Sequence, residues 1–123
     1  MPPRIQRPTR DEVSIFPSKS AFVAWMEAHH DRTAALWVGY WRRGIDRPSM
    51  TYPESVEVGL AYGWIDSVTY RVDDEVTAIR FTPRRRGSTW SDLNVERMQR
   101  LIAAGDAHPA GIAAFEARSM SRT

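Results

Sequence analysis

Cysteine is absent from the 123-residue chain. That excludes a disulfide framework, a thiol nucleophile and any thiolate-held zinc or iron–sulfur site. Lysine is nearly absent as well: Lys19 is the only one, so arginine carries almost all the positive charge. Arginine is the better side chain for bidentate contacts with phosphate or carboxylate, although an Arg- and Ala-rich chain also follows from GC-rich coding. No stretch approaches the roughly 20 apolar residues that cross a bilayer. The start, Met1-Pro2-Pro3-Arg4-Ile5-Gln6-Arg7, has no apolar run of the signal-peptide kind, so the expected compartment is the cytoplasm and no membrane partner is expected. GxGxxG, Walker, GxSxG and HExxH motifs are all missing. What is present is a 42% hydrophobic composition with five Trp, four Tyr and four Phe, at a net charge of only +2. Such a chain packs as one domain, and its overall charge does not announce a polyanion partner.

Residues 1–13 mix prolines with charges and read as a flexible lead-in, followed by a single domain over 14–118 and a frayed tail at 119–123. Ser18 offers an N-cap for a helix over about residues 19–30, with Phe22, Val23, Trp25 and Met26 on its apolar side. Ala35 to Trp41 is aromatic and β-branched, which suits a strand. Thr51-Tyr52-Pro53-Glu54 is a capping box that opens the next helix, and Gly63 is placed to end it. Two strands then flank Asp73-Asp74. A two-residue turn there pairs Tyr70 with Thr77, Val68 with Ile79 and Asp66 with Phe81, which puts Asp66 toward the core. Val95, Met98, Leu101 and Ile102 stripe a further helix ending at Gly105, and Pro109 starts a last short one. The order predicts an α+β fold: a small, mainly antiparallel sheet of about three strands packed with three to four helices.

Two blocks hold candidate chemistry. In Gly63-Trp64-Ile65-Asp66, a carboxylate on an apolar strand face must be paired or hydrogen-bonded. It either locks a loop or sits at a pocket floor, where it orients a ligand or acts as a general base. In the segment from Arg80 to Ser91 four arginines occur with no acidic residue, running straight into a helix. Ser88 or Ser91 at the cap leaves first-turn N–H groups for an anion, and Trp90 offers a stacking face. A solvated Arg-rich loop with Trp90 as a core plug explains the same residues. His29 and His30 point about 100° apart on a helix and suit a solvated end, and His108 reads as a loop residue, so no metal site and no cofactor are implied.

Thr51-Tyr52, Gly63-Trp64-Ile65-Asp66, Arg80-Phe81-Thr82-Pro83-Arg84, Ser88, Trp90-Ser91, Asn94, Arg97, Leu101, Gly105 and Pro109-Ala110-Gly111 occur in order. This pattern, over about residues 16–118, resembles the YdeI/OmpD-associated family, whose members are labelled bacteriocin-protection proteins. The chain departs from the pattern at Gly59, where Ala is usual, and at Ser67, where Gly is usual. Longer members continue into a second helical region. The resemblance implies a stress- or bacteriocin-protection role and names no reaction.

The leading expectation is therefore a small-molecule binder whose single pocket is lined by Asp66, Arg80, Arg84, Ser88, Trp90, Ser91 and Asn94. Arg80 and Arg84 hold an anionic group, Trp90 stacks and Asp66 orients a donor. Three alternatives stay open. One is a small enzyme with Asp66 as base and Arg80 or the helix N-terminus stabilising negative charge. Another is a weak nucleic-acid binder through Arg84-Arg85-Arg86. The last is a homodimer paired along a Trp37–Trp41 strand edge.

Overall fold

The computed structural model describes residues 4–119. Its elements are β1 (Val13–Ile15), α1 (Lys19–His29), β2 (Leu36–Trp41), α2 (Tyr52–Ala61), β3 (Trp64–Arg71), β4 (Val76–Pro83), α3 (Asp92–Ala104) and α4 (Pro109–Glu116). The fold is α+β, with a four-stranded mixed sheet in the order β1-β2-β4-β3. The extra strand is β1, which pairs parallel to β2. The residues before it, expected to form a flexible lead-in, run against the sheet. Pro8 is buried, Tyr70 Oη donates to the Ile5 carbonyl (3.1 Å) and Arg10 pairs with Asp73 (2.6 Å). Of the expected frayed tail, only Ser119 falls within the described residues, and it bridges to Thr89. The Trp37–Trp41 segment is not an edge. As β2 it has β4 along its whole length on one side and β1 over Trp37–Gly39 on the other, so along that stretch its backbone is paired on both sides and offers no edge to a second copy.

Capping chemistry sets the helix starts. Ser18 Oγ accepts from Ala21 N (3.2 Å), and Thr51 and Glu54 exchange their reciprocal bonds (3.3 and 2.9 Å). Gly63 (φ +79°) and Gly105 (φ +77°) take the left-handed conformation that closes α2 and α3, where a side chain would be strained. His108 is more than a loop residue. Its Nδ1 accepts from Ala110 N (3.1 Å) as the N-cap of α4, and its ring stacks on Tyr62 (4.7 Å, 23°) with His30 edge-on at 4.7 Å.

The β3–β4 hairpin corrects the expected register. Its turn has three residues, Asp73 to Glu75, closed by Val72 N donating to Val76 O (2.9 Å). Asp73 Oδ1 holds it by accepting from the amides of Glu75 and Val76 (2.8 and 2.9 Å). Near the turn Tyr70 therefore faces Ala78 and Thr69 faces Ile79. A bulge between Asp66 and Thr69 then absorbs one residue, and Asp66 pairs with Phe81 as expected. A bulge exists to make this adjustment: it lets a three-residue turn coexist with an apolar face that a plain ladder would have flipped. Its cost is Val68, left 37% exposed.

Alternation divides the sheet into two faces. Val38, Ile79, Phe81 and Trp64 meet Phe22 and Met26 of α1 and Val58 of α2 in the main core. Val56 and Leu60, on another side of α2, join Trp90 and Met98 in a second core that Phe115 and Ile112 of α4 close. α2 is thus shared between the two cores and buried for most of its length. Its one buried polar side chain, Ser55, is satisfied by Tyr40 Oη and the Tyr52 carbonyl, both at 2.6 Å. Trp37, Gly39 and Trp41 lie on the outer face opposite Arg80, Ala78 and Val76.

Candidate functional site

Where β4 ends, the chain turns past Gly63: Arg84 N donates to the Gly63 carbonyl (2.9 Å). The loop that follows is pinned from two sides. Ser88 N reaches back to Arg85 O (3.1 Å), and Ser119 N donates to Ser88 O (3.1 Å) from beyond α4. This fixed backbone lays the Arg84 guanidinium over the Trp90 ring, 4.1 Å from its centroid. Trp90 is only 1% exposed, and Phe115 packs against it edge-on at 5.3 Å. The indole is therefore a core plug whose ring is taken by Arg84 and Phe115. It does not offer the ligand-stacking face expected from the sequence.

Arg84 lies between two clefts. One, of about 260 Å³, is bounded by Ile65, Thr82, Pro83, Arg85, Ser88 and Thr89, the other, of about 300 Å³, by Arg86 and the alanines in and just after α4. Four buried polar atoms in this short segment have no hydrogen-bond partner among the described residues: Arg84 Nε and Nη1, Ser88 Oγ and Trp90 Nε1. Buried polar groups are satisfied in the great majority of cases. Three of the four are obligate N–H donors, so the missing element is an acceptor. Burial lowers the Arg84 pKa from its ordinary value, and the charge of Asp66 partly offsets this. Among the described residues Arg84 makes no ion pair.

The other expected site residues divide. Asp66 lies on the helix side of β3, where it accepts from Tyr52 Oη (2.6 Å); it does not border the Arg84–Ser88 cleft. That hydrogen bond, then burial and the nearby carboxylate charge, push the Tyr52 hydroxyl up to about 12, with Arg97 opposing. Burial also raises the Tyr40 hydroxyl pKa. Ser91 is the N-cap of α3, accepting from Asn94 N (3.2 Å), and Asn94 Oδ1 accepts from Arg97 Nη1 (3.0 Å). Both serve the helix and Arg97 rather than the cleft. Arg80 is not in the site at all. Paired with Trp37, it points to the outer face of the sheet, because its neighbours Ile79 and Phe81 occupy the core side. The arginine triplet is split too, with Arg85 and Arg86 exposed while Arg84 turns inward.

Residues 14–114 match the model of a family described as a domain of unknown function, DUF8412. The chain belongs to that family. The DUF8412 match runs from β1 into α4 and takes in Arg84, Ser88 and Trp90, while Phe115 and Ser119, which pack on and pin them, lie just beyond it. No curated protein and no solved structure matches the chain. Tyr52 and Arg97 were not singled out as site residues, although Tyr52 stands beside the capping threonine. Only the fold brings Tyr52 to Asp66, from a position 14 residues away.

The Tyr52–Asp66 bond has a measurable consequence. The Tyr52 hydroxyl pKa is raised in the folded state, so its contribution to stability is complete below the ordinary tyrosine value near 10 and is lost as pH climbs through about 12. Tyr52→Phe is therefore expected to lower stability at neutral pH and to flatten its fall over that alkaline window. Urea denaturation at several pH values, with ultraviolet titration of the phenols, checks this. An unchanged alkaline profile in Tyr52→Phe counts against the bond.

Proposed function

We propose that this protein binds a small anionic ligand, carboxylate- or phosphate-bearing, in the recess between the Gly63-Trp64-Ile65-Asp66 strand and the Arg84–Trp90 segment. The observation that carries the reading is the group of buried polar atoms without partners at Arg84, Ser88 and Trp90. A buried donor left unmade costs about 1–3 kcal/mol, more for a charged one. A fold selected only for stability would place apolar atoms there. An acceptor supplied by a ligand offsets the cost, and the guanidinium makes that acceptor an anion. The proposal extends to a protective role in the cytoplasm, on the kinship with YdeI/OmpD-associated proteins that the sequence blocks imply; what supports it is that resemblance alone.

A thermal-shift and calorimetric panel of acetate, benzoate, inorganic phosphate, sugar phosphates and nucleotides tests the reading, because a ligand of the folded state raises apparent stability by mass action. Trp90→Phe removes the indole N–H while keeping a buried ring, and Ser88→Ala removes the hydroxyl. Each is expected to weaken the best hit about tenfold, the scale of one hydrogen bond to an anion, with the fold retained. Full affinity in both variants places the ligand elsewhere and sinks the proposal.

A further inference from the structure

The outer face of the sheet holds a groove of about 450 Å³, formed where residues 4–7 cross β2 and β4 and lined by Arg4, Arg7, Arg80, Glu12 and Trp37. Among the described residues none of these three arginines forms an ion pair. Glu12, the one carboxylate on the groove, is occupied locally, accepting from Thr9 N (2.9 Å) and Thr9 Oγ1 (3.0 Å). The neighbouring Arg10 is different in kind, since Asp73 and Glu75 neutralise it. The groove thus concentrates two net positive charges beside an indole. Trp37 is half-buried and meets Tyr70 at a tilt (5.8 Å, 60°) rather than face to face, so among the described residues no stacked partner closes the ring. The Tyr70 Oη bond to Ile5 O holds the arginine-bearing segment across the groove.

We propose that this groove is a second anion site that takes a phosphate monoester carrying a planar ring, of the nucleoside monophosphate class. A phosphate monoester is close to a dianion at neutral pH and matches the net charge of the three arginines and Glu12. The planar ring accounts for Trp37, since base–indole stacking is tolerant of ring identity. A longer single strand gains little more, because farther along β2 the Trp41 ring is already covered by Arg10 and Arg47, and Asp73 and Glu75 pair with Arg10 there. The site shares no residue with the Arg84–Trp90 recess and stands whether or not that recess binds anything.

Titration calorimetry with AMP and with inorganic phosphate at low salt tests it on the full chain. AMP is expected to bind about tenfold more tightly than phosphate, the scale of one stacked base. Arg80→Gln and the fully surface-borne Arg7→Gln are each expected to weaken AMP about tenfold, whereas Arg100→Gln, exposed on α3 and not on the groove, leaves it unchanged. Arg7→Gln changes an exposed side chain, so its result does not depend on refolding. Absence of AMP binding at millimolar concentration overturns the proposal. So does AMP binding that is lost in Arg84→Met but kept in Arg7→Gln and Arg80→Gln, which assigns the nucleotide to the recess. Equal affinity for AMP and phosphate removes the ring from the proposal, and binding of an oligonucleotide but not of AMP replaces it with a strand-binding surface.

Discussion

Gly111→Ala is expected to be the most damaging single methyl group in this protein. A Cβ at that position would sit 2.6 Å from the Ala61 carbonyl carbon and 2.9 Å from the Leu60 oxygen, and closer still to the Ala61 oxygen. All three are backbone atoms at the end of α2, where the Ala61 carbonyl also receives the His108 amide (2.9 Å), so none can step aside without moving α2 or α4 as a whole. Gly39 gives the useful contrast. Its Cβ would also collide, at 2.7 Å with Ile15 Cγ1 and nearer with Val13 Cγ1, but those are side-chain atoms that can change rotamer. Overpacking a tight contact costs typically 1–3 kcal/mol and more where relief is blocked. We expect about 3 kcal/mol or more for Gly111→Ala and about half that for Gly39→Ala. For a domain of this size the former lowers Tm by roughly 10–15 °C. Function should follow, because α4 carries Phe115 onto Trp90 and lines one side of Arg84. Thermal and urea denaturation of both variants decides it. A fall of only two or three degrees in Gly111→Ala would mean that α4 does not dock on α2 this closely.

What was legible in the sequence is the local part of this architecture. The caps at Ser18 and Thr51 and the left-handed glycines at 63 and 105 are read from residues within a few positions of one another, and the structure has all of them, while of the two serines offered for α3 it uses Ser91. β1 escaped because three residues carry no usable period and their pairing with β2 is a non-local event. The hairpin register failed for a related reason. Strand parity argues for a two-residue turn, and nothing local to Asp73 signals that a bulge six residues upstream will restore the phase. Arg80 is a different kind of miss. Ile79 and Phe81 were already placed on the core face, so alternation alone sends the residue between them to the other side. The placement of Arg80 beside Asp66 contradicted the very pattern that fixed Asp66. The recess itself was half visible. Arg84, Ser88 and Trp90 belong together, but their lack of partners is a property of packing that no spacing rule contains. Asp66, by contrast, is a paired carboxylate held by Tyr52.

Arg84→Met separates a binding residue from a structural one because stability and affinity are expected to move in opposite directions. The substitution keeps an unbranched stem that can lie on the Trp90 ring, and thioether–aromatic contact replaces part of the lost attraction. What disappears is the cation–π term, about 0.5–2 kcal/mol, together with two buried N–H groups that have no acceptor and cost about 1–3 kcal/mol each. The unsatisfied donors outweigh the cation–π contact. Solvent screening keeps the attraction to Asp66 small, because no ion pair forms. The free protein is therefore expected to gain about 1 kcal/mol and to melt roughly 4 °C higher. The same change deletes the half-buried positive charge of the recess and leaves only the exposed Arg85 on its border among the described residues, and the anion found by the panel should weaken by about 10- to 100-fold, the scale of a charge-assisted hydrogen bond. Arg86→Met, two residues away and exposed, should alter neither quantity. A melting temperature that drops by several degrees in Arg84→Met, with ligand affinity intact, would make Arg84 a packing residue whose guanidinium is satisfied in solution. The recess would then be a structural feature of the fold, because the other cation on its border, Arg85, is exposed and leaves no buried donor without a partner.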